Sequence, residues 1–243
     1  MKDNYFDDDV AGTYDTEESG EFEPSLVEST VSFLAGLAPH GSALELGIGT
    51  GRIALPLRER GLQVEGIELS AAMVDQLKKK SGAEAIRVVL GDFATTAMDR
   101  TFDLVYLVFN TIMNLTSQEE QVACFANAAA HLRPGGVFVV EVMIPDLRRL
   151  PPGETIRPFK IEATSLGFDE YDVANQGLIS HHYWWNDTHM ELHSVPFRYV
   201  WPAELDLMAS MAGLALRERW SGWNHEPFTS ESLKHVSVWE RFE

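Results

Sequence analysis

A single cysteine, Cys124, stands in a chain of 243 residues. It rules out an internal disulfide and fits a protein of a reducing compartment. Basic residues are scarce as well. Nineteen lysines and arginines oppose 37 aspartates and glutamates, for a net charge of −18. A field of that sign repels phosphate backbones and argues against a nucleic-acid partner. No apolar run approaches the ~18 residues of a membrane span. Residues 1–9 are acidic and lack the apolar stretch of a signal peptide. No Cys pair and no His-x-x-x-His pair on a helix marks a metal site. A cytoplasmic protein with no metal, no membrane and no nucleic acid is the expectation.

The negative charge is unevenly spread. Residues 1–30 hold ten carboxylates and only Lys2. Tyr5, Phe6, Tyr14 and Phe22 punctuate them. Two readings stand for residues 1–23: a solvating acidic arm, or a lid that uses those aromatics.

From Pro24 the apolar spacing becomes helical and stops at Pro39-His40-Gly41. Short apolar runs then alternate with helical patterns. Strands are expected at Ser42–Leu46, Gln63–Glu68, Ala85–Leu90, Phe102–Phe109 and Gly136–Met143. Helices are expected from Ile53, after the N-cap Ser70, and over Ser117–Leu132. Near-continuous apolar strands belong to a parallel sheet covered on both faces. The tail adds a helix opening at Pro202 and two alternating strands, Leu214–Trp220 and His235–Glu240, paired antiparallel at the sheet edge. Residues 151–200 break the rhythm with aromatic-rich alternating segments at Gly167–Val173, Gly177–Trp185 and Met190–Val200. Turns are expected at Asn175-Gln176-Gly177 and Asn186-Asp187. The expected architecture is α/β. A seven-stranded, mostly parallel sheet with an antiparallel last strand spans 24–150 and 201–243, with helices on both faces. A small antiparallel β insertion at 151–200 follows strand five.

Strand one runs into Gly47-Ile48-Gly49-Thr50-Gly51-Arg52. Glycines at such a turn let a ligand approach the backbone closely. In an α/β sheet that is where nucleotide-like molecules bind. A dinucleotide fingerprint needs glycine at position 52, which is Arg52. A phosphate loop ending in Gly-Lys-Ser/Thr is absent. Glu68 closes strand two, and a carboxylate there can accept both hydroxyls of a ribose. Asp92 closes strand three, where it can accept from an adenine amine while Phe93 packs on the ring.

Together these segments resemble the class I S-adenosylmethionine (SAM) methyltransferases. Glu45-x-Gly-x-Gly-x-Gly, Ile67-Glu68-Leu69-Ser70-x-x-Met73, Gly91-Asp92-Phe93, Phe102-Asp103-Leu104-Val105 and Leu132-Arg133-Pro134-Gly135-Gly136 occur in that family's order. Within that family the chain resembles small-molecule enzymes with an aromatic N-terminal arm and a β insertion after strand five, such as amino-sugar N,N-dimethyltransferases and glycine/sarcosine N-methyltransferases. The resemblance implies a Rossmann-like fold, SAM as cofactor and S-adenosylhomocysteine as product. It places Gly47, Gly49 and Gly51, with Glu45 at the head of the motif, beside the methionyl part and ribose. It gives the ribose to Glu68 and the adenine to Leu69, Met73, Asp92 and Phe93. Tyr14 would close over the sulfonium, with Asn110 near the transferring methyl. The Asn/Asp-Pro-Pro-Tyr/Phe signature of amino-methylating DNA and protein enzymes is missing after strand four. That argues against methylation of bases and of glutamine.

The acceptor side is less defined. An amine nitrogen is the first expectation, then a hydroxyl or carboxyl, then a ring carbon. His181, His182, His189 and His193 are half of the eight histidines. His181, His182 and Asn110 are the candidates for a base or a positioning group, although strand neighbours face opposite ways. Thr111 and Asn114 are able to orient an acceptor. Trp184, Trp185, Trp201, Trp220, Trp223 and Phe228 fit an aromatic acceptor pocket or a homodimer contact through the insertion. Cys124 reads as core, and Glu141 either faces the cleft or ends the buried part of its strand. Two rival functions remain: an NAD(P)-dependent oxidoreductase, and a catalytically silent SAM-binding scaffold.

Overall fold

The computed structural model describes Phe6 and residues 8–16, 22–39, 41–185 and 188–242. The expectations for Tyr5, His40 and the turn Asn186-Asp187 lie outside them. The main sheet holds β1 (Ser42–Leu46), β2 (Gln63–Glu68), β3 (Arg87–Leu90), β4 (Phe102–Leu107), β5 (Leu132–Met143), β10 (Leu214–Trp220) and β11 (Lys234–Arg241) in the order β10-β11-β5-β4-β1-β2-β3. Strands β1 to β5 pair in parallel, and β11 runs antiparallel to both its neighbours. The order turns back between β1 and β4, which opens a crevice beyond their carboxyl ends.

Each face of the sheet is covered. Val31 and Leu34 of α2 (Pro24–Leu37), Leu57 of α3 (Ala54–Glu59) and Leu77 of α4 (Ala71–Lys78) pack on one side. Phe125 and Ala128 of α5 (Gln118–Ala130) and Leu205 and Met208 of α6 (Pro202–Met211) pack on the other. Cys124 is buried in α5, as expected for a core residue. A short α1 (Asp8–Thr13) precedes them.

Several borders differ from expectation for local reasons. Ala83–Ala85 forms a 3₁₀ turn behind left-handed Gly82, so β3 starts two residues late. Strand β4 stops at Leu107 because Phe109 and Asn110 adopt φ of 64° and 57°. Helix α5 ends at Ala130, and β5 starts at Leu132, four residues ahead of the expected Gly136. There the pairing jumps from Phe102↔Leu132 to Leu104↔Val137.

The insertion is a separate antiparallel sheet of four strands: β6 (Ile156–Ile161), β7 (Ser165–Asp172), β8 (Gly177–Trp185) and β9 (Met190–Arg198). Strand β6 was not expected, because Pro158 sits in its middle. Proline is tolerated on an edge strand, and β6 is the edge. Gln176 takes a left-handed φ of 56° in the turn before β8.

Candidate active site

The loop after β1 turns back on β2. Gly47 and Ile48 donate to the carbonyl of Ile67 at 2.9 and 3.2 Å. Gly47 has φ of 72°, and a Cβ there would sit 2.9 Å from Cγ2 of Thr111. This close approach of two loops, with the left-handed backbone, demands glycine. Glu68, 7% exposed at the end of β2, is the hinge of the site. Its Oε2 accepts from Gly49 N–H at 2.8 Å and its Oε1 from Ser70 N–H at 2.9 Å. Burial pushes its pKa up, against the pull of those backbone donors. Each oxygen keeps acceptor capacity for a further donor. Ser70 caps α4 by accepting from Met73 N–H, and its hydroxyl donates to the carbonyl of Phe6. Beyond β3, Asp92 accepts from Ala94 N–H at 2.9 Å.

The N-terminal segment lies over this edge. Tyr14 meets Phe6 and Phe22 edge to face, at 6.1 and 5.6 Å between centroids. Asp15 accepts from the Thr50 hydroxyl at 2.6 Å and pairs with Lys80 at 2.7 Å. The arm is thereby tied to the glycine loop and to the end of α4.

These pieces enclose a cavity of about 300 Å³. Gly47, Gly49, Glu68, Leu69, Met73, Asp92 and Phe93 line one part, with Phe6 and Tyr14 from the arm. Thr111, Asn114, Leu115, Thr116 and Glu120 complete it from the segment leading into α5, with Pro196 from β9. Eight expected cofactor residues therefore meet around one space. Glu45, Gly51 and Asn110 do not line it. Glu45 is buried behind the loop, where it accepts from the Tyr106 hydroxyl at 2.8 Å; burial pushes its carboxyl up to about 8. Gly51 lies against Leu77, 2.4 Å from where its Cβ would stand. Asn110 turns its Oδ1 to Met143 N–H at 2.7 Å.

His181 and His182 also lie outside the cavity. His181 bridges Ser194 at 2.8 Å and Glu170 at 3.3 Å. His182 approaches the Ser180 hydroxyl at 3.1 Å and the Phe159 ring at 5.2 Å between centroids. Burial, then His193, Lys160 and His181, hold its pKa down. Neither reaches the cleft because β8 is an inner strand of the inserted sheet, and only β9 borders the site. Among the described residues no tryptophan lines the cavity, and Trp184 and Trp185 are exposed. Glu141 serves the turn after β4: its Oε2 accepts from Phe109 N–H at 2.8 Å and its Oε1 pairs with Lys234 at 3.0 Å. Leu115, Thr116, Glu120 and Pro196 were not singled out from sequence. The pattern Ser117-x-x-Glu120 is a legible capping box, and the structure forms it. Nothing local marks Pro196, whose position depends on how two sheets meet.

The "Methyltransferase domain" family matches residues 43–136. Over 232 residues the chain is 30% identical to the cypemycin N-terminal methyltransferase of a Streptomyces species, covering 89% of this chain and 93% of that one. It is 34% identical over 100 residues to dTDP-3-amino-3,6-dideoxy-alpha-D-glucopyranose N,N-dimethyltransferase of Streptomyces fradiae, covering 41% of this chain and 38% of the relative. The solved CcbJ methyltransferase from Streptomyces caelestis superimposes with a TM-score of 0.87 at 34% identity, covering 100% of both chains. SAM-bound CalS10, an amino pentose methyltransferase from Micromonospora echinaspora, shares the fold with a TM-score of 0.70 at 22% identity over 99% of both chains.

Proposed function

The chain belongs to the class I SAM-dependent methyltransferases, and on that basis we propose that it methylates a small-molecule amine with SAM, as a step of biosynthesis. The observation that carries this reading is the convergence of Glu68, Asp92 and the backbone of Gly47 and Gly49 on one cavity. The cavity fits such a cofactor. It offers a fixed carboxylate for the ribose at Glu68, a second acid at Asp92 with Phe93, Leu69 and Met73 for the adenine, and a side-chain-free passage at Gly47 and Gly49. When bound, SAM supplies an activated methyl group on a sulfonium, so the protein needs mainly to position its acceptor. In this reading Tyr14 and Phe6 close the arm over the site and exclude water. Thr111 and Asn114 orient the acceptor, and the insertion contributes a wall through Pro196 and a surface for a second copy. His181 and His182 take no part in proton transfer.

The test is calorimetric. Wild type is expected to bind SAM and S-adenosylhomocysteine. Glu68→Ala should lose about 1.5–3 kcal/mol of that binding, roughly 10- to 100-fold. Methyl transfer to a panel of amines, read by mass spectrometry, separates an enzyme from a silent binder. Undiminished binding by Glu68→Ala removes the basis for the proposed ribose site.

A further inference from the structure

Asn127 interrupts a run of alanines, Ala126, Ala128, Ala129 and Ala130, in the second half of α5. Asparagine is a poorer helix former than alanine, because its amide competes for backbone partners. A tertiary contact accounts for its place. Its Nδ2 donates to the carbonyl of Phe93 at 2.8 Å and to that of Thr96 at 3.0 Å. One turn further on, the buried His131 reaches the same loop. Its Nε2 accepts from Met98 N–H at 2.7 Å, and its Nδ1 stands 2.7 Å from the carbonyl of Asn127. An N–H only donates and a carbonyl only accepts, so the ring carries its proton on Nδ1. The two side chains are four residues apart and share one helix face.

The loop they hold follows β3, the edge strand of the main sheet. It folds tightly on itself. The carbonyl of Asp92 accepts from Thr95 and Thr96 N–H at 3.0 and 2.8 Å, and the Asp92 carboxylate accepts from Ala94 N–H at 2.9 Å. The carbonyls of Phe93 and Thr96 are answered from α5 instead. One amide nitrogen with two hydrogens serves both, which no other neutral side chain of this length does. Phe93 is 8% exposed, and it lines the cavity beside Asp92. Asn127 lies outside the cavity and acts through them.

We propose that Asn127 is a positioning residue for base recognition. By fixing the backbone at Phe93 and Thr96 it sets the loop to take adenine and to refuse a 6-oxopurine. The inference rests on the assignment of Asp92 and Phe93 to the adenine made above. Adenine offers its donor on the exocyclic nitrogen. Hypoxanthine places an acceptor there and carries its donor one atom over, at N1. Only a carboxylate held in place tells the two apart, and a loop free to shift meets either one. The carboxylate of Glu68 is held by Gly49 and Ser70 rather than by α5. The sugar end therefore keeps its affinity when Asn127 is changed.

The experiment titrates the full chain with S-adenosylhomocysteine and with S-inosylhomocysteine, read by calorimetry. Wild type is expected to favour the adenosyl compound by about tenfold or more. Asn127→Leu should weaken S-adenosylhomocysteine about tenfold and the inosyl compound by less than about twofold, so that discrimination nearly vanishes. Asn127→Ser keeps one donor and should fall between; it decides the matter if the leucine variant does not fold. Amide hydrogen exchange is the second readout. It should quicken at residues 93–98 in both variants and stay unchanged at residues 112–115. A merely structural role lowers both affinities alike, and that result overturns the proposal. Discrimination kept at the wild-type level in the variants overturns it too. Equal affinity of wild type for the two probes removes the adenine assignment of Asp92, and this proposal with it. Failure of wild type to bind S-adenosylhomocysteine sinks the methyl-transfer reading itself.

Discussion

Glu45 is 4% exposed behind the glycine loop, and burial lifts its carboxyl from 4.5 to about 8. His235 is buried in β11, with Nδ1 at 2.8 Å from the Ser237 hydroxyl and Nε2 without a hydrogen-bond partner among the described residues. Burial, with Arg219 nearby, pushes its pKa from 6.5 down to about 3. The two act on stability with opposite signs. Between pH 4.5 and 8 the fold keeps a proton on Glu45 that the unfolded chain releases. That contribution is complete below 4.5 and is lost as pH rises through 8. Between pH 3 and 6.5 the unfolded chain protonates His235 and the fold does not. That contribution is complete above 6.5 and is lost as pH falls toward 3. From 4.5 to 6.5 the slopes cancel. Outside that window each acts alone, at up to about 1.4 kcal/mol per pH unit. Glu68, raised in the same direction as Glu45, adds to the alkaline side. Urea unfolding across pH should show Glu45→Gln flattening the alkaline limb and His235→Leu the acid limb. Limbs unchanged in both variants would contradict these protonation states.

At the scale of elements, the turn after β4 stands out. A bulky residue and its neighbour, Phe109 and Asn110, share the left-handed region, which costs on the order of 1–3 kcal/mol for each. The turn persists because several groups hold it. Glu141 Oε2 accepts from Phe109 N–H, the carbonyl of Glu141 accepts from Asn110 N–H at 3.3 Å, and Arg52 lies over the Phe109 ring at 4.6 Å. The same guanidinium lies 5.4 Å from the ring of Phe22 in the arm. The turn aims Thr111 and Asn114 at the cavity. Glu141→Ala is therefore expected to raise the KM of a methylated amine about tenfold, leave S-adenosylhomocysteine affinity within about twofold, and cost roughly 1–3 kcal/mol of stability. Equal loss of cofactor and acceptor affinity would mean that the turn supports the whole crevice instead. This turn also marks the limit of what is legible in sequence. Ser42–Leu46 and Gln63–Glu68 are readable to the residue, because turn residues bound them: Pro39-His40-Gly41 and the glycine loop from Gly47 flank the first, and Gly61 and the N-cap Ser70 flank the second. Glu68 and Asp92 are readable because the crevice lies at strand ends. Asn110 is legible as a polar residue in the right place. Its side chain goes to Met143 rather than the cavity, a consequence of two left-handed φ values that residue type does not announce. Strand β6 is hidden by Pro158, and Pro196 by a contact between distant elements.

For the whole molecule, the question is what joins the inserted sheet to the rest of the fold. Arg198, at the end of β9 and 6% exposed, donates to Glu204 at 2.7 Å and Gln176 at 3.2 Å, and also to Gln121. Gln121 on α5 returns a bond to the carbonyl of Arg198 at 3.1 Å and holds those of Ile112 and Leu115 at 3.3 and 3.2 Å. One buried polar knot thus links the insertion, α5, α6 and the cavity wall that carries Leu115. Desolvating an ion pair offsets much of its Coulomb gain, whereas removing one partner strands the other. Arg198→Met is expected to cost about 3–5 kcal/mol in urea unfolding, because Gln121 loses a donor and Glu204 keeps its bonds from Gln118 and Gln176 but loses its cationic partner. Arg198→Met combined with Glu204→Leu should be milder than the sum of the single changes, with a coupling of about 1–3 kcal/mol in a double-mutant cycle. If the knot also sets the acceptor wall, a methylated amine's KM should rise in Arg198→Met while S-adenosylhomocysteine binding stays near wild type. Strictly additive single changes would mean that apolar packing by Tyr171, Leu178 and Tyr199, rather than this charge pair, joins the sheet to the rest of the fold.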